Sequence, residues 1–172
     1  MIAAPASATA TDVRWFVCHT KPRCEKKLAA LLTAEGFDHY LPLVTSVKRY
    51  GKATKHFSKP LFPGYVFAHV IVGEKSRIYQ QDLLARVLPV ENEKKFLRQM
   101  EDVRIIVASG LELTVRPLIK RGTRVRVNSG PLWGLEGVVD DPANPSGIVL
   151  CVDDLQQGLL VKLPLENLEI LP

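Results

Sequence analysis

Pro60-Leu61-Phe62-Pro63-Gly64-Tyr65-Val66-Phe67 sets two prolines and a glycine directly ahead of an apolar, aromatic run. Proline has no amide proton to give to a sheet ladder, so a strand entered this way starts at an edge or after a bend. Upstream, Thr45 to Lys59 carries five Lys/Arg and no acid. The segment reads as a basic loop over Arg49–Lys59, with a hairpin around Tyr50-Gly51 as one way to fold it, leading into a strand over Leu61–Val72. Alternation assigns Phe62, Gly64 and Val66 to one face of that strand, and Leu61, Pro63, Tyr65 and Phe67 to the other. One of the two faces is core. Cations beside aromatics suit contact with nucleic acid or with a machine built around it.

Outward from this stretch, Val13–Cys18 is β-branched and aromatic and predicts a strand. Trp15 and Phe16 are neighbours in it and face opposite ways, so one is core. Thr20 is a candidate helix cap and Pro22 suits a first helical turn. Leu28, Leu31 and Leu32 recur at helical spacing over Glu25–Glu35, and Gly36 is a stop. Phe37–Val47 predicts a strand broken at Pro42, Ser76–Asp82 a helical turn, and Arg86–Pro89 a short strand. Phe96, Met100, Val103, Ile106 and Val107 predict a helix over Asn92–Ser109, stopped by Gly110. Beyond Glu112–Leu118 the texture changes to short strands at 125–127, 137–139, 148–152, 159–163 and 168–171, separated by Gly or Pro turns. Five such strands suit a small barrel. Gly130-Pro131 and Gly134 suit tight turns, and Gly137 suits close strand approach. The recurrent breakers over 122–164 favour a stable β structure over a helical alternative.

The expected fold class is therefore α+β. An N-terminal antiparallel sheet with flanking helices spans 13–111. A flexible linker covers 112–118, and a small five-stranded β-barrel covers 119–172. Residues 1–12, mostly Ala, Ser, Thr and Pro, predict a disordered tail with no signal-peptide pattern.

The chain has 172 residues, 47% of them apolar, and a net charge of +5. Residues 1–115 hold 17 Lys/Arg against 11 Asp/Glu, and residues 116–172 hold 6 against 7. The basic excess thus lies in the first part, which suggests a polyanion there and a different task for the second. No apolar run approaches the roughly 18 residues needed to span a bilayer, so a soluble, cytoplasmic monomer is expected. Cys18, Cys24 and Cys151 lack zinc spacing and fit a reducing compartment. His19, His39, His56 and His69 have no metal-ligand spacing. Cys18 and His19 point apart as strand neighbours, and no serine elbow or P-loop occurs. No catalytic residue, metal or cofactor is expected.

Arg14-Trp15-Phe16-Val17, Lys21-Pro22-Arg23, Glu25-Lys26-Lys27, Leu41-Pro42 and the Pro60–Phe67 stretch resemble the N-terminal (NGN) domain of NusG-type transcription elongation factors. Gly122 to Val139, with Gly130-Pro131-Leu132-Trp133-Gly134, resembles the KOW motif, an SH3-like barrel, that the family carries at its C-terminus. The two occur in the family's order over about residues 13–172. The Thr-Lys-Pro-Arg step and the Pro-Leu-Phe-Pro-Gly-Tyr-Val-Phe strand are similar to the specialised UpxY and RfaH paralogs more than to housekeeping NusG.

The resemblance implies docking of the first domain on the β′ clamp helices of RNA polymerase, a clamp held closed, and reduced pausing or termination. It puts Phe62, Pro63, Gly64, Tyr65 and Phe67 in the docking surface, with Trp15 at its border. Lys21, Arg23, Lys48, Arg49, Lys52 and Lys55 become candidates for contacting DNA of the elongation complex or nascent RNA, with His19 and Tyr50 able to stack on a base. The barrel would recruit a second partner through Leu132, Trp133 and Leu155. In the family that partner is a ribosomal protein or Rho, recognised by an aromatic that this chain lacks at Val152–Gly158. A ribosome-associated, RNA-binding KOW protein is the alternative, with Lys120, Arg121, Arg124 and Arg126 as its cations.

Overall fold

The structure, a computed structural model, describes residues 12–117, 122–139 and 147–172. Contacts divide the chain into two compact units, Met1–Leu41 with Ser58–Glu93 and Pro42–Phe57 with Lys94–Pro172. The expected tail, Lys120 and Arg121 lie outside the described residues, apart from Asp12.

In the first unit, β1 (Val13–Thr20), β2 (Asp38–Tyr40), β5 (Tyr65–Ile71) and β6 (Leu84–Pro89) form an antiparallel sheet in the order β2-β5-β1-β6. The register pairs Phe16 with Ala68 and Cys18 with Val66, and these side chains share one face. Helix α1 (Glu25–Ala34) covers that face with Leu28, Leu31 and Leu32, and Phe37, Ile78 and Leu84 complete the cluster. Period 2 in the strands meeting period 3.6 in the helix is what makes this two-layer core possible.

Glu25 opens α1 and is itself buried. Its Oε1 accepts the Gly64 amide at 2.7 Å, tying the helix start to the turn that feeds β5. Gly64 sits at φ +87°, where an L side chain is strained, and an added Cβ would lie 3.4 Å from the His19 ring. The bend expected at Pro60–Gly64 is this turn, and β5 begins only at Tyr65. Thr20 does not cap α1: it ends β1, Cys24 holds the cap position, and Pro22 precedes the helix.

Burial pushes the Cys18 thiol up to about 12. A folded sample should therefore leave Cys18 unreactive towards a thiol reagent at neutral pH, its thiol appearing on denaturation. Three fast equivalents in the folded protein would contradict this packing.

The predicted basic loop is a ribbon. β3 (Leu43–Tyr50) and β4 (Ala53–Pro60) form a separate two-stranded sheet around a Gly51-Lys52 turn. Helix α2 (Glu93–Ser109) buries Phe96, Met100, Val103 and Ile106, the face its periodicity predicts. It groups with the C-terminal strands, where the expected boundaries kept it with the first sheet. Asp153 receives Gln99 Nε2 at 3.3 Å and forms an ion pair with Lys95.

β7 (Leu113–Pro117), β8 (Arg124–Val127), β9 (Glu136–Val139), β10 (Gly147–Val152), β11 (Gln157–Lys162) and β12 (Leu168–Ile170) form one antiparallel sheet in the order β12-β8-β9-β10-β11-β7. This differs from the expectation at β7. Residues 113–117, read as linker, pair with β11, Leu113 opposite Val161. Among the described residues the ladder thus has six strands, and five of them, β12-β8-β9-β10-β11, are those expected within 119–172. Gly137 does allow close strand approach: a Cβ there would lie 2.8 Å from the Val149 carbonyl oxygen.

Candidate functional site

The second face of the β2-β5-β1-β6 sheet carries three cross-strand pairs between β1 and β5. These are Trp15 with His69, Val17 with Phe67, and His19 with Tyr65. The outer two are stacked rings, Trp15–His69 at 5.0 Å and 17°, His19–Tyr65 at 4.9 Å and 12°. All four of these rings are half-buried, so each shows part of its surface to solvent. The middle pair is closed off. Phe67 is 0% exposed, with Tyr40 stacked at 6.5 Å and Phe62 edge-on at 6.5 Å. On the far side of β1, β6 sets exposed Leu88 opposite Val17 and exposed Arg86 opposite His19.

The docking candidates thus separate. Trp15, Tyr65 and Gly64 are half-buried and Pro63 is exposed at the turn. Phe62, 1% exposed, and Phe67 are interior, and their contact role is corrected to a packing one. The reason is the sheet's second layer of packing: alternation gives a residue a face but does not say whether that face is covered. Phe62→Ala is consequently a core truncation and unsuited to probing a surface. Sequence reasoning missed His69, Leu88 and Arg86. For His69 the signal was present, since it lies two and four residues from Phe67 and Tyr65 on one strand.

Among the cations, Lys48, Arg49, Lys52 and Lys55 are all exposed on the ribbon. Lys48 Nζ lies 5.9 Å from the Phe57 ring centroid, and Lys55 Nζ 5.9 Å from that of Tyr50. Lys21 is placed elsewhere and pairs with Asp82 at 2.5 Å. Arg23 is exposed at φ +61°, a left-handed conformation uncommon outside glycine.

In the C-terminal sheet, Leu132 and Leu155 are buried, so these two partner-contact candidates are corrected to core. Trp133 is 75% exposed in the β8–β9 turn, and it is not a lid. Arg126 donates to Glu136 at 2.6 Å and Arg124 lies 3.5 Å from the same carboxylate. The Arg126 hydrogen bond holds the Glu136 carboxyl below its ordinary range. The two described cations of the proposed RNA cluster thus share a single carboxylate.

An open cleft of about 680 Å³ between α2 and β9–β10 is lined by Lys95, Arg98, Asp102, Arg124, Glu136 and Asp153. Its ion pairs Lys95–Asp153 and Arg124–Glu136 satisfy one another. Among the described residues no group of three His, Cys, Asp or Glu is placed to hold a metal, and no helix is long and apolar enough to cross a membrane. Cys18 faces the core while His19 lies on the opposite face, so the two form no nucleophile–base pair.

The family described as "Transcription termination factor nusG" matches residues 13–118, more than half of the chain. A solved structure described as "Domain interaction in Thermotoga maritima NusG" is 19% identical with a TM-score of 0.50, covering 95% of this chain and 99% of that one. Another, "Crystal Structure of MjSpt4:Spt5 complex conformation B", is 17% identical with a TM-score of 0.31, covering 91% and 95%. No curated protein sequence matches. With its N-terminal strands, both helices and the Pro60–Phe67 turn all inside the matched segment, this chain belongs to the NusG family of transcription factors.

Proposed function

We propose that this chain is a specialised transcription elongation and antitermination factor of the UpxY or RfaH type, acting without catalysis. Its four-stranded sheet docks on the clamp helices of the RNA polymerase β′ subunit, holds the clamp closed, and reduces pausing or termination. The contact surface is the side of the sheet bearing Trp15, His19, Tyr65 and Leu88, with Pro63 and Gly64 at its rim. Lys21, Arg23 and the ribbon cations Lys48, Arg49, Lys52 and Lys55 meet nucleic acid of the elongation complex. The C-terminal strands act as a KOW-type module that presents Trp133 to a second partner.

The observation that carries the reading is the pair of half-exposed ring stacks on a sheet whose sequence matches the NusG family. Large rings with few rotatable bonds contribute much contact area at low entropic cost, which is the chemistry of interface hot spots. The alternative, a ribosome-associated RNA binder, would rest on cations of the C-terminal strands, where Arg124 and Arg126 are both engaged with the Glu136 carboxylate.

The test is capture of purified RNA polymerase by the immobilised full-length chain, with the isolated β′ clamp-helix fragment as competitor. Capture that the fragment displaces is the expected result. Absence of capture, or capture that excess fragment does not displace, would overturn the docking assignment.

A further inference from the structure

The Phe62–Tyr65 segment closes as a β-turn, Tyr65 donating its amide to the Phe62 carbonyl at 3.1 Å. The ring of Pro63 fixes a negative φ, and Gly64 lies at φ +87°, so the two are the central residues of a type II turn. A type I turn would suit the same Pro-Gly pair, with the glycine at negative φ. The two forms differ by turning over one peptide, the unit that carries the Pro63 carbonyl and the Gly64 amide.

Gly64 is tied at both of its backbone polar groups. Its amide donates to Glu25 Oε1 at 2.7 Å, and its carbonyl accepts the Thr20 amide at 2.8 Å. Only the first bond belongs to the peptide that turns over. In the type I form the Pro63 carbonyl would approach the Glu25 carboxylate where the amide now lies, setting acceptor against acceptor. Glu25 is 8% exposed, and among the described residues it forms no ion pair. Burying a carboxylate is costly, and one bond to a backbone amide is a small gain if stability were its only use. The dipole of α1 does not call for burial either, because a first-turn acid favours a helix start from the surface as well.

What this bond orients lies outside the core. A trans peptide points its carbonyl opposite to its amide. With the Gly64 amide held toward α1, the Pro63 carbonyl turns away from that helix. α1 covers one face of the sheet, and His19 and Tyr65 lie on the other. Pro63 is exposed, and its carbonyl accepts no backbone hydrogen bond among the described residues. Gly64 lies beside the His19 ring, which stacks on Tyr65.

We propose that Glu25 is a positioning residue for docking. Its carboxylate selects the type II form of this turn and so presents the Pro63 carbonyl, beside His19 and Tyr65, to an N–H or O–H donor of the partner. The role in docking rests on the polymerase reading above, whereas the hold on the turn is a property of this chain alone.

The test uses the full chain and two readouts, polymerase capture and hydrogen exchange of the Gly64 amide followed by nuclear magnetic resonance. Capture is measured at a temperature where circular dichroism shows every variant folded. Glu25→Met keeps the bulk of the side chain without an acceptor. It should weaken capture roughly tenfold, the drop expected if the competent turn falls to about a tenth of the population. Glu25→Gln keeps an oxygen that can accept the amide and should recover most of that loss. Arg77→Ala, which cuts the pairs to Glu35 and Glu74 at the other end of α1, lowers stability without touching the turn and should capture as the parent does. Exchange of the Gly64 amide should be at least about tenfold slower in the parent than in Glu25→Met. A folded Glu25→Met with parental capture would overturn the proposal. So would a Glu25→Gln as weak as Glu25→Met, or an Arg77→Ala that loses as much affinity. Equal Gly64 exchange in parent and Glu25→Met would overturn the hold on the turn whatever the partner. Slow exchange in a parent that captures no polymerase would instead overturn the docking reading, and with it the role assigned to Glu25 there.

Discussion

Phe67→Ala is expected to destabilise the first unit by about 3–5 kcal/mol, against a total stability on the order of 5–15 kcal/mol for a domain. Phe67 sits at the centre of β5, opposite Val17, with Tyr40 and Phe62 around its ring and none of its surface in solvent. Removing it forfeits the transfer free energy of the ring and leaves a cavity that a sheet between β2 and β1 cannot collapse to fill. Urea denaturation followed by circular dichroism measures the loss. A cost below about 1 kcal/mol would show that the ring is not packed as described. The distinction matters for function: loss of polymerase binding in a Phe67 or Phe62 variant would report unfolding and says nothing of a contact.

Tyr65→Ala combined with Trp15→Ala is expected to lower polymerase affinity by roughly 10²–10³-fold while the protein stays folded. The estimate takes each ring as an interface hot spot of about 2 kcal/mol, near 30-fold apiece. Each substitution also removes one ring stack, with His19 or His69, a loss of about 0.5–1.5 kcal/mol that a folded domain tolerates. Both side chains are half-buried at the outer pairs of the sheet face, where a partner helix could cover them without disturbing Phe67. The comparison that decides is polymerase capture against thermal melting of the same variant. A folded double variant that still binds with parental affinity would move the docking surface off this face of the sheet.

The Pro60–Phe67 stretch shows how far local rules reach. Proline chemistry located the bend and period 2 separated Val66 from Tyr65 and Phe67, while Gly64, read as part of the strand, lies in the left-handed turn ahead of it. Period 3.6 marked the buried stripe of α2 correctly at Phe96, Met100, Val103 and Ile106. The family resemblance was legible for the same reason, since its motifs lie in turns and strand starts whose residue types answer to backbone geometry. Candidate contacts fared differently. Phe62, Phe67, Leu132 and Leu155 look like contact residues in the sequence and are interior in the structure. Nothing within a few residues of Leu155 announces that it will be covered, because the cover comes from elsewhere in the chain.

By itself, then, the sequence determined both helices and most of the strands, which side chains share a face within them, where the cations concentrate, and which family the chain resembles. Those properties depend on the backbone within a few residues. Tertiary structure decided which faces are closed, that Leu113–Pro117 pairs with β11 some forty residues away, and that Lys48 and Lys55 share one exposed face with Tyr50 and Phe57 while Lys21 is held by Asp82. Those outcomes depend on which distant segments meet, and a pairing across forty residues is fixed by the packing of the whole sheet, which no local pattern encodes.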